Sequence, residues 1–168
     1  MLINNDYLIE LEDGFSGANC DVLPVKDHPS LLFKSFNHEL KAKEAYNNQV
    51  ELSKHNLAPR VYGGLCRIPY FYEPELLRYY DPKVTTTELG YLTEKAELLT
   101  EDIDDIWIEK LCHKIKYHTD LDFWDCHFQN IGYIYRGVLE NEVAMLCCID
   151  TGNESFYQDW EVYHAVYK

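Results

Sequence analysis

The sequence feature that most constrains the fold is a change in apolar periodicity near residue 119. Apolar and histidine side chains recur at steps of three and four across residues 101–118: Ile103, Ile106, Trp107, Leu111, Ile115 and His118. This spacing predicts an amphipathic helix, and the acidic residues of its first turn suit the helix dipole. The runs IGYIY and VAMLCCI then predict a β-hairpin that ends at Asp150.

The first half of the chain predicts strands around one helix. YLIELED (7–13), GFSGAN and CDVLPV predict a hairpin with a glycine-containing tip, and LLFKSF (31–36) predicts a further strand. Residues 39–55 are rich in helix formers without Gly or Pro, so they predict a helix. Strands in LAPRVYGG and up to Leu92 follow, separated by a proline-rich connection at 68–83. This order of elements predicts an α+β protein.

Length and charge limit the function classes. The 168 residues, 46% of them hydrophobic, suffice for one domain or two small lobes. With 15 Lys and Arg against 29 Asp and Glu, the net charge of −14 argues against a nucleic acid as the main partner. The sequence shows no membrane span and no signal-peptide pattern, so we expect a cytoplasmic protein with no membrane partner. Its six cysteines, two of them adjacent, fit reduced thiols in that compartment.

Lys34 lies amid the apolar residues of the predicted strand LLFKSF. One interpretation is an edge-strand lysine whose ammonium group reaches solvent. The alternative is a lysine inside a cleft, where a phosphate and a carboxylate offset its desolvation. Glu44, on the next predicted helix, is the candidate for that carboxylate, with Glu39 and Glu51 as open alternatives.

Three polar residues flank the predicted hairpin of the second half. Asp125 and Asn130 lie five residues apart in the loop before it, and Asp150 follows its second strand. Each residue by itself fits an Asx turn or a buried carboxylate with a partner. Taken together with Lys34, they are harder to explain by turns alone.

In this order the residues resemble the protein-kinase-like superfamily over nearly the whole chain. GFSGAN resembles a degenerate glycine-rich loop, which implies nucleotide contacts at Gly14, Ser16 and Gly17. LLFKSF resembles the strand that carries the phosphate-contacting lysine. The resemblance therefore implies that Lys34 binds the α and β phosphates of ATP and pairs with Glu44.

The second half of the chain carries the more specific part of the resemblance. YLTEKA (91–96) is similar to a hinge, which implies nucleotide contacts at Glu94 and Ala96. FWDCHFQNIG is similar to the catalytic loop, with Asp125 as the base and Asn130 as a metal ligand. IDTG stands where the family has its metal-binding Asp-Phe-Gly, so Asp150 would be the second Mg²⁺ ligand.

The resemblance implies a two-lobed fold for an ATP- and Mg²⁺-dependent kinase. Residues 1–93 would form a small antiparallel sheet plus helix, 94–100 a hinge, and 101–168 a much reduced second lobe. Trp124 replaces the usual arginine before the base, and the 16 residues after Gly152 leave no room for a full activation segment. The acceptor would be a hydroxyl group of an unspecified protein or small molecule.

Two other classes of function remain open at this point. The acidic surface and the short second lobe are also typical of a catalytically silent pseudokinase that binds or inhibits a protein partner. A cluster of histidines and aspartates suggests a metal-dependent phosphohydrolase: His118, Asp120, Asp122, Asp125 and His127. A zinc site from Cys112, His113, Cys126 and His127 is weaker, because the sequence contains no Cys-x-x-Cys pair.

Overall fold

The structure is a computed structural model that describes residues 9–10, 14–17, 19–69, 87–101, 103–138 and 141–156. In these residues the protein is α+β, as predicted, with two antiparallel sheets and two 15-residue α-helices. The chain divides into two compact units. The first comprises Met1–Tyr46 and Val61–Lys95, and the second comprises Asn47–Arg60 and Ala96–Lys168.

The first unit contains a five-stranded antiparallel sheet. Its strands are β1 (Phe15–Ser16), β2 (Asp21–Pro24), β3 (Leu31–Ser35), β4 (Val61–Pro69) and β5 (Thr87–Glu94). They lie in the order β1-β2-β3-β5-β4, which makes β3 the central strand. The buried core on this sheet includes Phe33, Ile68 and Leu92.

The predicted glycine-containing tip joins β1 to β2. Phe15 pairs with Val22, and the Gly17 N–H donates a hydrogen bond to the Cys20 carbonyl at 2.9 Å. This confirms the hairpin in its described part. Most of the preceding predicted strand, residues 7–13, lies outside the described residues, as does the proline-rich connection beyond Pro69.

Helix α1 (Glu39–Ser53) confirms the predicted helix and ends two residues earlier than expected. Its buried positions follow helical spacing: Ala42, Ala45, Gln49 and Leu52. The first two pack in the first unit with Phe36 and Tyr91. Leu52 packs in the second unit with Leu57 and Leu111. Residues 47–60, which the sequence analysis assigned to the N-terminal lobe, therefore group with the second unit.

The second unit contains helix α2 (Asp105–Thr119) and the strands β6 (Glu97–Leu98), β7 (Ile131–Arg136) and β8 (Val143–Cys148). The strands form a sheet in the order β6-β7-β8, and the β7–β8 hairpin is the predicted one. Strand β6 falls within the predicted hinge segment and pairs with β7. Helix α2 begins four residues later than predicted and ends at Thr119, and the capping residue Asp120 has a φ of 60°.

The predicted apolar stripe of α2 is only partly buried. Leu111 and Ile115 are core residues, whereas Ile106 and Trp107 are 54% and 51% exposed. The core cluster contacts the helix from Ile108 onward, so the first turn lies beyond it. His118, the last member of the predicted stripe, is exposed and stacks on His55 with ring centroids 4.5 Å apart. Within the described ranges, neither helix is long and apolar enough to cross a membrane.

Gln49 is a fully buried polar residue of α1, and its removal is expected to destabilise the protein. Its Nε2 donates to the Pro59 carbonyl at 3.0 Å, and its Oε1 accepts a hydrogen bond from Thr151 Oγ1 at 3.3 Å. Gln49→Ala removes the hydrogen bonds to the Pro59 carbonyl and from the Thr151 hydroxyl, and it creates a cavity. We expect the free energy of unfolding to fall by about 2–4 kcal/mol, measured by urea denaturation.

The exposed Gln129 supplies the matched control for this prediction. Gln129→Ala is expected to change the free energy of unfolding by less than about 0.5 kcal/mol. Equal destabilisation by the two substitutions would show that the buried hydrogen bonds of Gln49 contribute nothing measurable.

Candidate functional site

The loop between α2 and β7 brings Asp125 and Asn130 into contact. Asn130 Nδ2 donates hydrogen bonds to both the carbonyl oxygen and Oδ2 of Asp125, each at 3.0 Å. The loop ends in a short 3-10 turn, Phe128–Asn130, directly before β7. These bonds differ from those of an Asx turn, because the side-chain nitrogen of Asn130 donates to a residue five positions earlier in the chain. They also fix the carboxylate of Asp125 relative to the amide of Asn130.

His127 is the third member of this polar cluster. Its Nε2 lies 3.5 Å from Asp125 Oδ1 and 3.1 Å from Asn130 Nδ2. Its Nδ1 accepts a hydrogen bond from the Gln129 N–H at 3.3 Å. A neutral ring with this acceptor carries its proton on Nε2, from which it can donate to the carboxylate. Sequence reasoning had considered His127 only as a possible metal ligand.

The hairpin brings Asp150 close to the same loop. The Ile149 N–H donates to the Asn130 carbonyl at 2.9 Å and extends the β7–β8 ladder by one step. Asp150 follows directly, and its Oδ1 accepts a hydrogen bond from the Gly152 N–H at 3.2 Å. Asp125, Asn130 and Asp150, which are separate in sequence, therefore belong to one small region of the second unit.

Asn130 and Asp150 each have a side-chain oxygen of the type that Mg²⁺ prefers as a ligand. Because the Asn130 nitrogen is a donor to Asp125, the amide presents Oδ1 as its acceptor. Among the residues that the structure describes, neither this atom nor Asp150 Oδ2 accepts a hydrogen bond. An amide oxygen and a carboxylate oxygen form an incomplete set that Mg²⁺ commonly completes with water and nucleotide phosphates.

Two residues of α1 hold the IDTG segment, and sequence reasoning missed both. Asn48 Nδ2 donates to the Thr151 carbonyl at 3.1 Å and to Asn153 Oδ1 at 2.9 Å. Gln49 accepts from the Thr151 hydroxyl. The sequence signal for Gln49 was its spacing: it is a polar residue at helical intervals from Ala42 and Ala45, which are buried in the structure. These bonds fix the backbone that follows Asp150.

Lys34 lies in the first unit on the central strand β3. Its residue is 7% exposed, it pairs across the sheet with Val22 and Tyr91, and its Nζ is 6.0 Å from the Tyr91 ring centroid. The edge-strand interpretation is therefore wrong. A cation held in this position is desolvated, and an anionic partner would stabilise it.

Glu44 is half-buried, as is Glu51, whereas Glu39, the third candidate on α1, is exposed. Burial raises the pKa of its carboxyl group, and the nearby charges of His38 and Lys41 partly oppose this rise. The pairing of Glu44 with Lys34 stays a prediction.

The two other candidate glutamates have local partners at the surface. Glu39 forms an ion pair with Lys43 at 2.7 Å, and the hydrogen bond from that lysine lowers the pKa of Glu39. Glu51 forms an ion pair with Lys54, the residue that follows the end of α1. Both pairs connect residues one helical turn apart, which accounts for these charges without a more distant partner.

The predicted glycine-rich loop is tied to its surroundings by side chains. Ser16 Oγ, between Gly14 and Gly17, donates a hydrogen bond to Asp21 Oδ1. At the tip of the hairpin, Lys41 Nζ of α1 donates to Asn19 Oδ1 at 2.7 Å. The tip is thus attached to the helix that carries Glu44. Nucleotide contacts at Gly14, Ser16 and Gly17 stay predictions.

The two predicted hinge residues have different surroundings. Glu94 pairs with Leu31 at the end of β5 in the first unit. Ala96 is 8% exposed and packs with Ile134 and Cys147 in the second unit. Their contacts with a nucleotide stay predictions.

The alternative metal sites of the sequence analysis are arranged differently in the structure. Asp122 forms an ion pair with Lys116 at 2.9 Å, and Asp120 caps α2. In the described ranges, no group of three or more His, Cys, Asp or Glu side chains is placed to hold a metal ion. Of the suggested zinc ligands, Cys112 and Cys126 are half-buried and pack against the core cluster of the second unit.

Comparison of the chain with protein-family models, with curated proteins and with solved structures finds no match. The functional assignment therefore depends on the residues and geometry described above.

Proposed function

We propose that the protein is an ATP- and Mg²⁺-dependent phosphotransferase of the protein-kinase-like type, which transfers phosphate to a hydroxyl group of a protein or small molecule. The observation that supports this proposal best is the hydrogen-bonded pair Asp125–Asn130 beside Asp150. These residues supply a base and two metal ligands at the spacing that the kinase resemblance implies. Lys34, a buried cation of the first unit, is the proposed contact for the α and β phosphates.

Phosphoryl transfer depends mainly on positioning of the reacting groups and on neutralisation of the phosphate charge, so a few protein residues are enough for catalysis. When bound, Mg²⁺ would supply that neutralisation. Asn130 has two tasks in this scheme: its Nδ2 holds the Asp125 carboxylate, and its Oδ1 is a ligand for the metal. Asp125 orients the acceptor hydroxyl and accepts its proton as the new bond to phosphorus forms.

Nucleotide binding is the first test of the proposal. ATP or ADP with Mg²⁺ should raise the thermal stability of the protein, and a ligand at one hundred times its dissociation constant adds about 2.7 kcal/mol. Asp150→Asn should abolish the Mg²⁺-dependent part of this stabilisation, because a neutral amide binds the metal more weakly. Thermal-shift titrations with and without Mg²⁺ measure both effects.

Asp122→Asn is the matched control, because it removes an exposed carboxylate from the loop that contains Asp125. It should keep the full Mg²⁺-dependent stabilisation. An unchanged metal effect in Asp150→Asn would overturn the assignment of Asp150 as a ligand. Absence of stabilisation by any nucleotide in the wild-type protein would overturn the proposed function.

A further inference from the structure

His127 lies beside both the candidate base and a candidate metal ligand, and the proposed reaction gives it no task. Its Nε2 is 3.5 Å from Asp125 Oδ1 and 3.1 Å from Asn130 Nδ2. On the other side of the ring, Nδ1 accepts a hydrogen bond from the Gln129 N–H at 3.3 Å. The side chains of His127 and Asp125 are 45% and 35% exposed, so an acceptor molecule can reach the carboxylate.

The hydrogens available in this cluster decide which nitrogen of His127 carries the proton. The side-chain amide nitrogen of Asn130 has two hydrogens. It donates at 3.0 Å to both the carbonyl oxygen and Oδ2 of Asp125, so neither hydrogen is left for His127 Nε2. Because Nδ1 is already an acceptor, the neutral ring carries its proton on Nε2. Asp125 Oδ1 is the acceptor that this proton faces.

The carboxylate of Asp125 is therefore approached by a donor at each of its oxygens. Asn130 donates to Oδ2, and His127 Nε2 faces Oδ1. The ring of His127 also contacts the Phe128 ring edge to face, with centroids 6.5 Å apart and an interplanar angle of 69°, which favours one ring orientation. Donors on the two oxygens fix the rotation of the carboxylate, and each oxygen keeps a lone pair for a substrate.

We propose that His127 is a positioning residue: it donates its Nε2 proton to Asp125 Oδ1 and holds the carboxylate in the orientation that accepts the proton of the acceptor hydroxyl. This inference rests on the proposed function. The 3.5 Å separation is long for a hydrogen bond, and we expect it to shorten when nucleotide and acceptor bind, as catalytic hydrogen bonds commonly do. His127 keeps its proton during the reaction, so Asp125 stays the base.

His127 also has a local structural task, because its Nδ1 caps the 3-10 turn Phe128–Asn130. Two substitutions separate capping from positioning. In His127→Gln, the side-chain nitrogen can take the place of Nε2 and donate to Asp125, but the acceptor of the cap is lost. In His127→Asn, the side-chain oxygen can take the place of Nδ1 and form the cap, but no donor reaches Asp125.

The test measures turnover, as self-phosphorylation or ATP turnover with Mg²⁺, and the melting temperature of the full chain. His127→Asn should lower kcat by about 10-fold to 10²-fold, as expected when a catalytic group loses its orientation, with little change in nucleotide affinity or melting temperature. His127→Gln should recover most of the lost turnover but melt at a lower temperature, because the cap is missing. His113→Asn, which replaces an exposed histidine of α2, is the control and should change neither quantity.

The opposite pattern would overturn the proposal. Full turnover in His127→Asn, or turnover in His127→Gln as low as in His127→Asn, would show that the donor to Asp125 does not position the base.

The position of the ring proton is measured without any assay of activity. Long-range ¹H–¹⁵N correlation spectra distinguish the two neutral tautomers, and the signal missing in His127→Gln identifies His127 among the seven histidines. We expect the proton on Nε2. A proton on Nδ1 would overturn the hydrogen bond to Asp125 even if the protein transfers phosphate. The expected tautomer in a wild-type protein that transfers no phosphate would overturn the proposed function, and the positioning role with it, while confirming the contact.

Discussion

Asp125→Asn is expected to lower the turnover of phosphoryl transfer by about 10²–10⁴ while nucleotide affinity stays nearly unchanged. The amide oxygen can still accept the hydrogen bond from Asn130, so the loop keeps its geometry. The substitution removes only the group that accepts the proton of the acceptor hydroxyl. Because the chain has 14 tyrosines, self-phosphorylation measured by mass spectrometry is a first assay without a known acceptor.

Asp122→Asn again provides the control, since its 72% exposed carboxylate lies in the same loop and pairs with a surface lysine, Lys116. It should leave turnover within a factor of about two, in line with the small free energies of exposed ion pairs. Equal turnover in Asp125→Asn and wild type would show that Asp125 is not the base. If the wild type binds Mg²⁺-ATP but shows neither self-phosphorylation nor ATP turnover, the pseudokinase interpretation replaces the proposed function.

Gly90→Ala is expected to cause the largest loss of stability. A Cβ atom at this position would lie 1.7 Å from the Lys34 carbonyl oxygen and 2.7 Å from its carbonyl carbon. Both are backbone atoms of the central strand, so no change of rotamer relieves the clash, and β3 and β5 must separate. We expect a loss of about 4 kcal/mol or more, with a decrease in the melting temperature of about 10 °C or more.

Gly64→Ala is the control for this prediction, because Gly64 lies in the same sheet and has no atom within 4 Å of an added Cβ. Its effect should stay within about 0.5 kcal/mol. Similar melting temperatures for the two variants, measured by circular dichroism, would contradict the close approach of β3 and β5 at Gly90.

Local pattern in the sequence determined most of the described elements. The glycine-containing tip, strand β3, helix α1 and the β7–β8 hairpin all form where alternation, turn residues or helix formers predicted them. These signals depend on interactions between residues close in the chain, which is why they can be read without a fold. The sequence also singled out Asp125, Asn130 and Asp150, because these polar residues flank the predicted hairpin.

Only the tertiary structure determines which core each element packs into and which polar groups form hydrogen bonds with each other. The periodicity of α1 did not reveal that its two halves belong to different units, since helical spacing marks a buried face without specifying what covers it. Periodicity likewise marked Trp107 as buried, whereas it is 51% exposed and belongs to none of the core clusters that the described residues form. The hydrogen bonds from Asn130 to Asp125 and from Thr151 to Gln49 depend on the path of the loops. Those paths are set by long-range packing, which a linear pattern does not encode.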